Sequence, residues 1–256
     1  MKIRLLPSAI SSSGERNRQF LTSYLINDSL AIDAGSLGIS LDLAAQRKIK
    51  HVVLSHAHID HLATLPIFLE NTEDFTGTRV TIHGSPAVLD SLRRHIFNDC
   101  LWPDLVHATL NSQPFFHLAE LQAGRTLEVA GVRVTPVPVT HAVPTMGFLV
   151  EEGNAAVVLP TDTGPTEELW RRANALPRVN AVFLEATFPN SMGELAEIAM
   201  HLTPRLFAEE VRKLSHPAKI IAIHIKASVY NEVVEELQSL GLPDLEIGMP
   251  GVEYCF

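Results

Sequence analysis

The chain has 256 residues, 46% of them hydrophobic and 19% charged, which is enough apolar material for a sizeable core. Its net charge of −9 argues against a large nucleic-acid partner, because an acidic surface repels the phosphate backbone. Cys100 and Cys255 are the two cysteines; this excludes a disulfide framework and suits a reducing compartment.

The amino terminus carries a basic tip and only a very short apolar run, and no segment has the length of a membrane span. The expectation is a soluble cytoplasmic protein. Lys2–Leu6 and Phe20–Ile26 read as strands, and Asn27-Asp28 as a tight turn into a further strand over Ser29–Asp33. Between the first two lies the polar stretch Ser11–Arg18, read as a surface loop, with a position bordering the active site as the alternative. Ile39–Arg47 has the spacing of a short helix.

Val52, Val53 and Leu54 form an apolar run that reads as a buried strand. His56, His58, Asp60 and His61 follow at once. Neutral imidazoles and a carboxylate are the ligands that a borderline divalent ion accepts. His56 and His58, two apart at a strand end, can reach one ion, whereas Asp60 and His61 lie on the following turn and point towards a second.

After this cluster, Leu62, Leu65, Phe68 and Leu69 have helical spacing, and Pro66 places the regular helix near Thr64 onwards. Arg79–His83 reads as a strand, and Ser85-Pro86 as the capped start of a helix with the stripe Val88, Leu89, Leu92 and Ile96. Phe97–Phe116, with Trp102-Pro103-Asp104, reads as an insertion over the face that holds the site; its Trp102, Phe115 and Phe116 read first as core residues, with a base-stacking platform as the alternative. From Thr126 the period becomes two, giving strands over Leu127–Ala130, Val132–Val139, Gly147–Glu151 and Ala155–Leu159. Helices are expected at Glu167–Asn174, Thr203–Leu214 and Val229–Leu240, with strands at Ala181–Leu184 and Lys219–His224. Two strand blocks with interleaved helices suggest helical layers outside two packed sheets. His51, His83, His95, His107, His117 and His216 have no partners in sequence and are expected to be surface or satisfied core residues.

The pattern His56-x-His58-x-Asp60-His61 resembles the signature of the metallo-β-lactamase fold hydrolases, and Asp33-Ala-Gly35 resembles their Asp-x-Gly turn. The resemblance implies an α/β (α+β) fold, the four-layer αβ/βα sandwich, as a single domain over residues 1–256 with an insertion near 97–118. It also implies two divalent ions, zinc first and manganese or iron as alternatives. His141, Asp162 and His224 each follow an apolar strand and look like the remainder of the dinuclear set. On that likeness His56, His58 and His141 hold one ion, Asp60, His61 and His224 the other, and Asp162 bridges.

A second group narrows the chemistry. Thr203 before Pro204 reads as a helix cap, whose free N–H groups and positive dipole end form an anion site beside His201. The His201-Leu-Thr203-Pro204 run, Glu185 upstream and the His224-Ile-Lys226 ending resemble the class II cyclic-nucleotide phosphodiesterases. The Glu185–His201 pair is similar to the acid-donor pair of tRNA 3′-processing endonucleases. The implied reaction is hydrolysis of a 3′,5′-cyclic nucleotide (cAMP or cGMP) to the 5′-monophosphate by a metal-bridging hydroxide that Asp60 orients. Thr203 would bind a phosphate oxygen, and His201, steadied by Glu185, would protonate the leaving group. The implied partner is a small nucleotide, without membrane or nucleic acid; a homodimer follows from the family alone. The rivals are a tRNA 3′-processing endonuclease, which needs a basic docking surface, a lactonase or thioester hydrolase, which leaves the His201–Thr203 helix start without a purpose, and a non-catalytic metal-binding protein.

Overall fold

The computed structural model describes residues 1–8, 18–73, 79–110 and 112–256. Two seven-stranded sheets dominate it. The first runs, edge to edge, through strands 253–255, 2–5, 24–26, 30–32, 51–53, 81–84 and 117–120; the second through 245–247, 219–223, 181–185, 155–161, 145–152, 132–139 and 127–129. Their inner faces share one apolar core that includes Ile3, Tyr24, Ile32, Val53, Phe148, Val157, Phe183 and Ile221.

The outer face of the first sheet packs Val52, Leu54 and Ile82 against helix residues Leu65, Phe68, Val88 and Leu89. The outer face of the second packs Val158, Val182 and Ile220 against Leu169, Trp170, Phe207, Val233 and Leu237. Three apolar layers between four layers of secondary structure make the αβ/βα sandwich expected from the resemblance. Among the described residues no helix is long and apolar enough to cross a membrane.

Local chemistry sets the element ends. The expected helix over 39–47 is confined to Leu43–Gln46, because Asp42 caps it by accepting from the Ala45 N–H; Ile39 stays outside and exposed. Thr64 precedes the helix Leu65–Thr72, with Pro66 in its first turn, where a missing N–H costs nothing. Ser85 caps the helix starting at Pro86, and the ladder loosens into a π turn over Leu92–Ile96. Strands 117–120, 245–247 and 253–255, and the helix 193–199, are short and carry no clear period; sequence periodicity does not show them.

His51 and His83 are satisfied, as expected, and the segment 97–116 lies elsewhere than expected. His51 and His83 partner each other, Nδ1 to Nε2 at 3.1 Å, and burial pushes His83 down to about 4. The segment 97–116 sends Phe97 and Phe116 into the outer core of the first sheet. Its Trp102, Pro103, Leu105 and Phe115 line a separate cavity with Leu69, Glu70 and Glu73. The Ser11–Asn17 part of the polar loop lies outside the described residues.

The turn Asp33-Ala34-Gly35 pins the histidine cluster to the sheet. Ala34 donates to the His61 carbonyl at 2.7 Å, Thr64 donates to the Ala34 carbonyl, and Thr22 donates to the Asp60 carbonyl at 2.8 Å. Gly35 lies so close that a Cβ there would stand 1.9 Å from the Asp60 carbonyl oxygen, which is backbone and cannot rotate away. Gly35→Ala should therefore destabilise the fold by about 1–3 kcal/mol, as overpacking does, read as a lowered Tm, and should weaken cation binding with it; unchanged melting and affinity would contradict this packing.

Candidate metal centre

Every donor in the cluster leaves the carboxyl end of a strand, where chains of open sheets present side chains to a common crevice. His56, His58, Asp60 and His61 follow strand 51–53; His141 follows 132–139; Asp162 follows 155–161; Glu185 ends 181–185; His224 follows 219–223. The last strand is parallel to 181–185, which is parallel to 155–161, so their ends converge. His224 makes its turn with φ of 53°, held by its N–H donating to Gln19 Oε1 at 3.1 Å.

The seven residues expected from the sequence meet in two groups. His56, His58, His141 and Asp162 place one donor atom each within 4.8 Å of one another, and so do Asp60, His61, Asp162 and His224. Asp162 belongs to both, with Oδ2 3.7 Å from His56 Nε2 and Oδ1 3.3 Å from His61 Nε2 and 3.5 Å from His224 Nε2. His141 Nε2 is 3.2 Å from His58 Nδ1, and His224 Nε2 is 3.2 Å from Asp60 Oδ2. Ligands at about 2.0–2.1 Å around a tetrahedral ion stand roughly 3.3–3.4 Å apart, so these spacings suit donors facing a shared cation.

His56 Nε2 and His61 Nε2 are buried and have no hydrogen-bond partner among the described residues. Leaving a buried polar atom unpaired costs about 1–3 kcal/mol, and a cation removes that cost for both. A third group, Glu185, His201 and His224, differs: His201 Nδ1 already bonds Glu185 Oε1 at 2.6 Å.

Hydrogen bonds behind the donors decide which nitrogen faces the crevice. Asp33, fully buried, accepts from the Ser55 N–H at 2.8 Å, the Ser55 hydroxyl at 2.8 Å and His61 Nδ1 at 2.7 Å. With its proton given to Asp33, the Ser55 oxygen accepts from His56 Nδ1 at 2.9 Å. One carboxylate thus keeps both Nδ1 atoms protonated and leaves both Nε2 lone pairs for the crevice. Thr187 sits likewise behind His224, its Oγ1 3.0 Å from Nδ1, while its hydroxyl donates to Glu185 Oε2 at 2.6 Å.

The charges are polarised. Burial lowers the pKa of His56 strongly, and those of His58 and His141 less. Burial would lower His224 too, but Asp162 and the hydrogen bond to Asp60 outweigh it and push it up to about 9; Asp162 and Asp33 likewise raise His61. Burial opposes ionisation of Asp162, yet the surrounding imidazoles hold its carboxyl well below the usual range. For His201, the Glu185 carboxylate overcomes burial and raises its pKa. Carboxylates that draw protons onto neighbouring imidazoles offer the same attraction to a divalent cation.

Thr203 is placed differently from its expected role. It is buried, its hydroxyl accepts from Leu206 N–H at the helix start, and Asn190 Oδ1 takes the Arg205 N–H. The Leu202 N–H bonds Glu185 as well, so the Leu202, Arg205 and Leu206 donors around this helix start are used by the fold. The residues that sequence reading passes over are Ser55 and Thr187, behind the donors, and Gln19, Phe20, Phe188 and Ser228 on the crevice wall.

Residues 35–225 match the family model described as the β-lactamase superfamily domain, and the chain belongs to that family of metallo-hydrolases. Across 91% of its length it is 25% identical to a probable 3′,5′-cyclic-nucleotide phosphodiesterase of Yersinia pestis, covering 81% of that protein. It is 28% identical to ribonuclease Z of Mycobacterium bovis, over 54% of this chain and 49% of that protein. The structure superposes on unliganded yeast PDE1 with a TM-score of 0.76 at 17% identity, covering 98% of each chain, a likeness of fold.

Asp33→Asn tests the positioning of the donors. An amide nitrogen facing His61 Nδ1 would reverse that imidazole's tautomer and turn an N–H towards the crevice. Zinc affinity measured by calorimetry should fall about 10–100-fold, the usual effect of losing such a partner, with the circular dichroism spectrum retained; wild-type affinity would contradict it.

Proposed function

We propose that this chain is a phosphodiesterase that binds two divalent cations and hydrolyses 3′,5′-cyclic nucleotides to 5′-monophosphates. The observation that carries this reading is Asp162, whose two oxygens face two separate donor groups, with His201, backed by Glu185, on the same crevice. In this reading His56, His58 and His141 would hold one cation and Asp60, His61 and His224 the other, with Asp162 available to both groups. Histidine and carboxylate donors suit zinc, with manganese or iron(II) as alternatives. When bound, such a pair neutralises phosphate charge and acidifies water.

The chain's own residues do the rest. Asp60, on the crevice rim, orients the attacking water. His201 presents Nε2 to the crevice, because Nδ1 is committed to Glu185 Oε1 at 2.6 Å. That geometry suits delivery of a proton to the leaving oxygen. Glu185, fully buried, also accepts from the Thr163 and Leu202 N–H groups, so it holds the imidazole in one orientation. The resemblance to the Yersinia relative supports the nucleotide reading. The ribonuclease Z relatives favour a second reading, cleavage of a tRNA precursor, against which the net charge of −9 weighs. A lactonase reading leaves the Glu185–His201 pair without a task.

The deciding experiment combines metal analysis with turnover of cyclic AMP, cyclic GMP, an aryl phosphodiester, a lactone and a tRNA precursor. Cyclic-nucleotide turnover is expected; hydrolysis of the lactone or the tRNA alone would overturn the proposal. His58→Ala and Asp162→Ala should lose metal and activity together. His201→Ala should keep its metal and lose turnover by about 10²–10⁴-fold, the usual weight of a general acid. A His201→Ala enzyme with normal turnover would remove that residue from the reaction.

A further inference from the structure

The crevice has a volume of about 450 Å³, within the range of small-ligand sites. Its floor is taken up by the donors, but one wall is not. From the His201 ring, Phe188 stands 5.8 Å away, edge to face, and the Lys226 ammonium lies 5.5 Å from the Phe188 ring centre. Lys226 is held from behind, its N–H donating to the Thr187 carbonyl at 3.1 Å. Its ammonium has no carboxylate partner among the described residues. Ser228 adds a hydroxyl to this wall, and Phe20, 46% exposed, lines the same crevice and is anchored through its N–H to Ser8 Oγ at 2.8 Å.

An unpaired cation on an aromatic wall, next to the proton donor, is placed for the leaving side of the substrate. In a 3′,5′-cyclic phosphodiester both ester oxygens belong to one ribose. The base therefore extends on the side of the leaving oxygen, where His201 stands. Phe20 is the exposed ring and offers a base a stacking face, while Phe188, 6% exposed, lies under the Lys226 ammonium and backs it. Lys226 offers only donors. Guanine presents two adjacent acceptors, N7 and O6, along one edge, whereas adenine pairs an acceptor with the N6 donor there.

We infer that Lys226 and Phe20 form a base subsite, with Phe188 backing the ammonium, and that Lys226 selects guanine over adenine. The inference rests on the phosphodiesterase reading above. It is a matter of specificity, with Lys226 touching substrate away from the reacting atoms.

The test is the ratio of kcat/KM for cyclic GMP to that for cyclic AMP, with bis(p-nitrophenyl) phosphate as a base-free substrate. The wild-type ratio should exceed one, by roughly tenfold for a well-made contact of this kind. Lys226→Met should bring the ratio towards one, mainly through KM for cyclic GMP. Lys226→Arg, which keeps a donor for N7 and O6, should retain the preference and shows that the change is not a folding defect. Phe20→Ala should raise KM for both nucleotides more than for the aryl diester. A wild-type enzyme without guanine preference, or a Lys226→Met loss equal on all three substrates, would overturn the subsite. Failure of the wild-type enzyme to hydrolyse any phosphodiester would instead overturn the reading beneath it.

Discussion

A carboxylate buried among imidazoles is the constraint on which this structure turns. Asp162 is 2% exposed, and burying a charge is costly unless something of opposite sign stands close. Its neighbours are His56, His61 and His224, at 3.3 to 3.7 Å, with donor atoms turned towards a shared space. Packing does not account for the two orphaned Nε2 atoms beside it, since apolar side chains would fill the same volume without an unmet polar atom. A bound divalent cation, and in the proposed reading one on each side of Asp162, would answer both demands. The sandwich makes this possible by bringing strand ends from two sheets to one crevice, so that each donor sits on a short turn backed by a rigid strand.

The backing residues matter as much as the donors. Asp33 reaches His61 directly and His56 through Ser55, and thereby links the tautomers of imidazoles that serve different groups. Thr187 stands between Glu185 and His224, so the proposed proton donor and a proposed metal ligand share one hydroxyl. The proposed cation binding and proton delivery would therefore share one hydrogen-bonded scaffold around Thr187. Gly35 and the turn around it keep that scaffold in register with the first sheet.

Much of this is legible in the sequence, for physical reasons. His56, His58, Asp60 and His61 come directly after an apolar run, where a core would place hydrophobic side chains, and His141, Asp162 and His224 each end an apolar strand. The order of the layers follows from periodicity. What stays hidden depends on contacts distant in sequence. Ser55 reads as a strand terminator until Asp33 is brought to it, 22 positions away. Thr203 and Pro204 look like an open helix start until Asn190 and Glu185 are seen to use the donors. Phe20 reads as the start of a strand, yet the chain leaves it 46% exposed on the crevice, while the aromatic insertion sends its rings to the outer core of the first sheet and to another cavity. The pairing of His51 with His83 likewise needs neighbouring strands, not spacing.

The most direct test is anomalous diffraction from crystals grown with zinc or manganese. Two peaks about 3.5–4 Å apart, as in two-metal hydrolytic sites, should appear on either side of Asp162, one within reach of His56, His58 and His141 and the other of Asp60, His61 and His224. No peak in this crevice, or a single one that leaves either histidine group without a cation at saturating metal, would contradict the account.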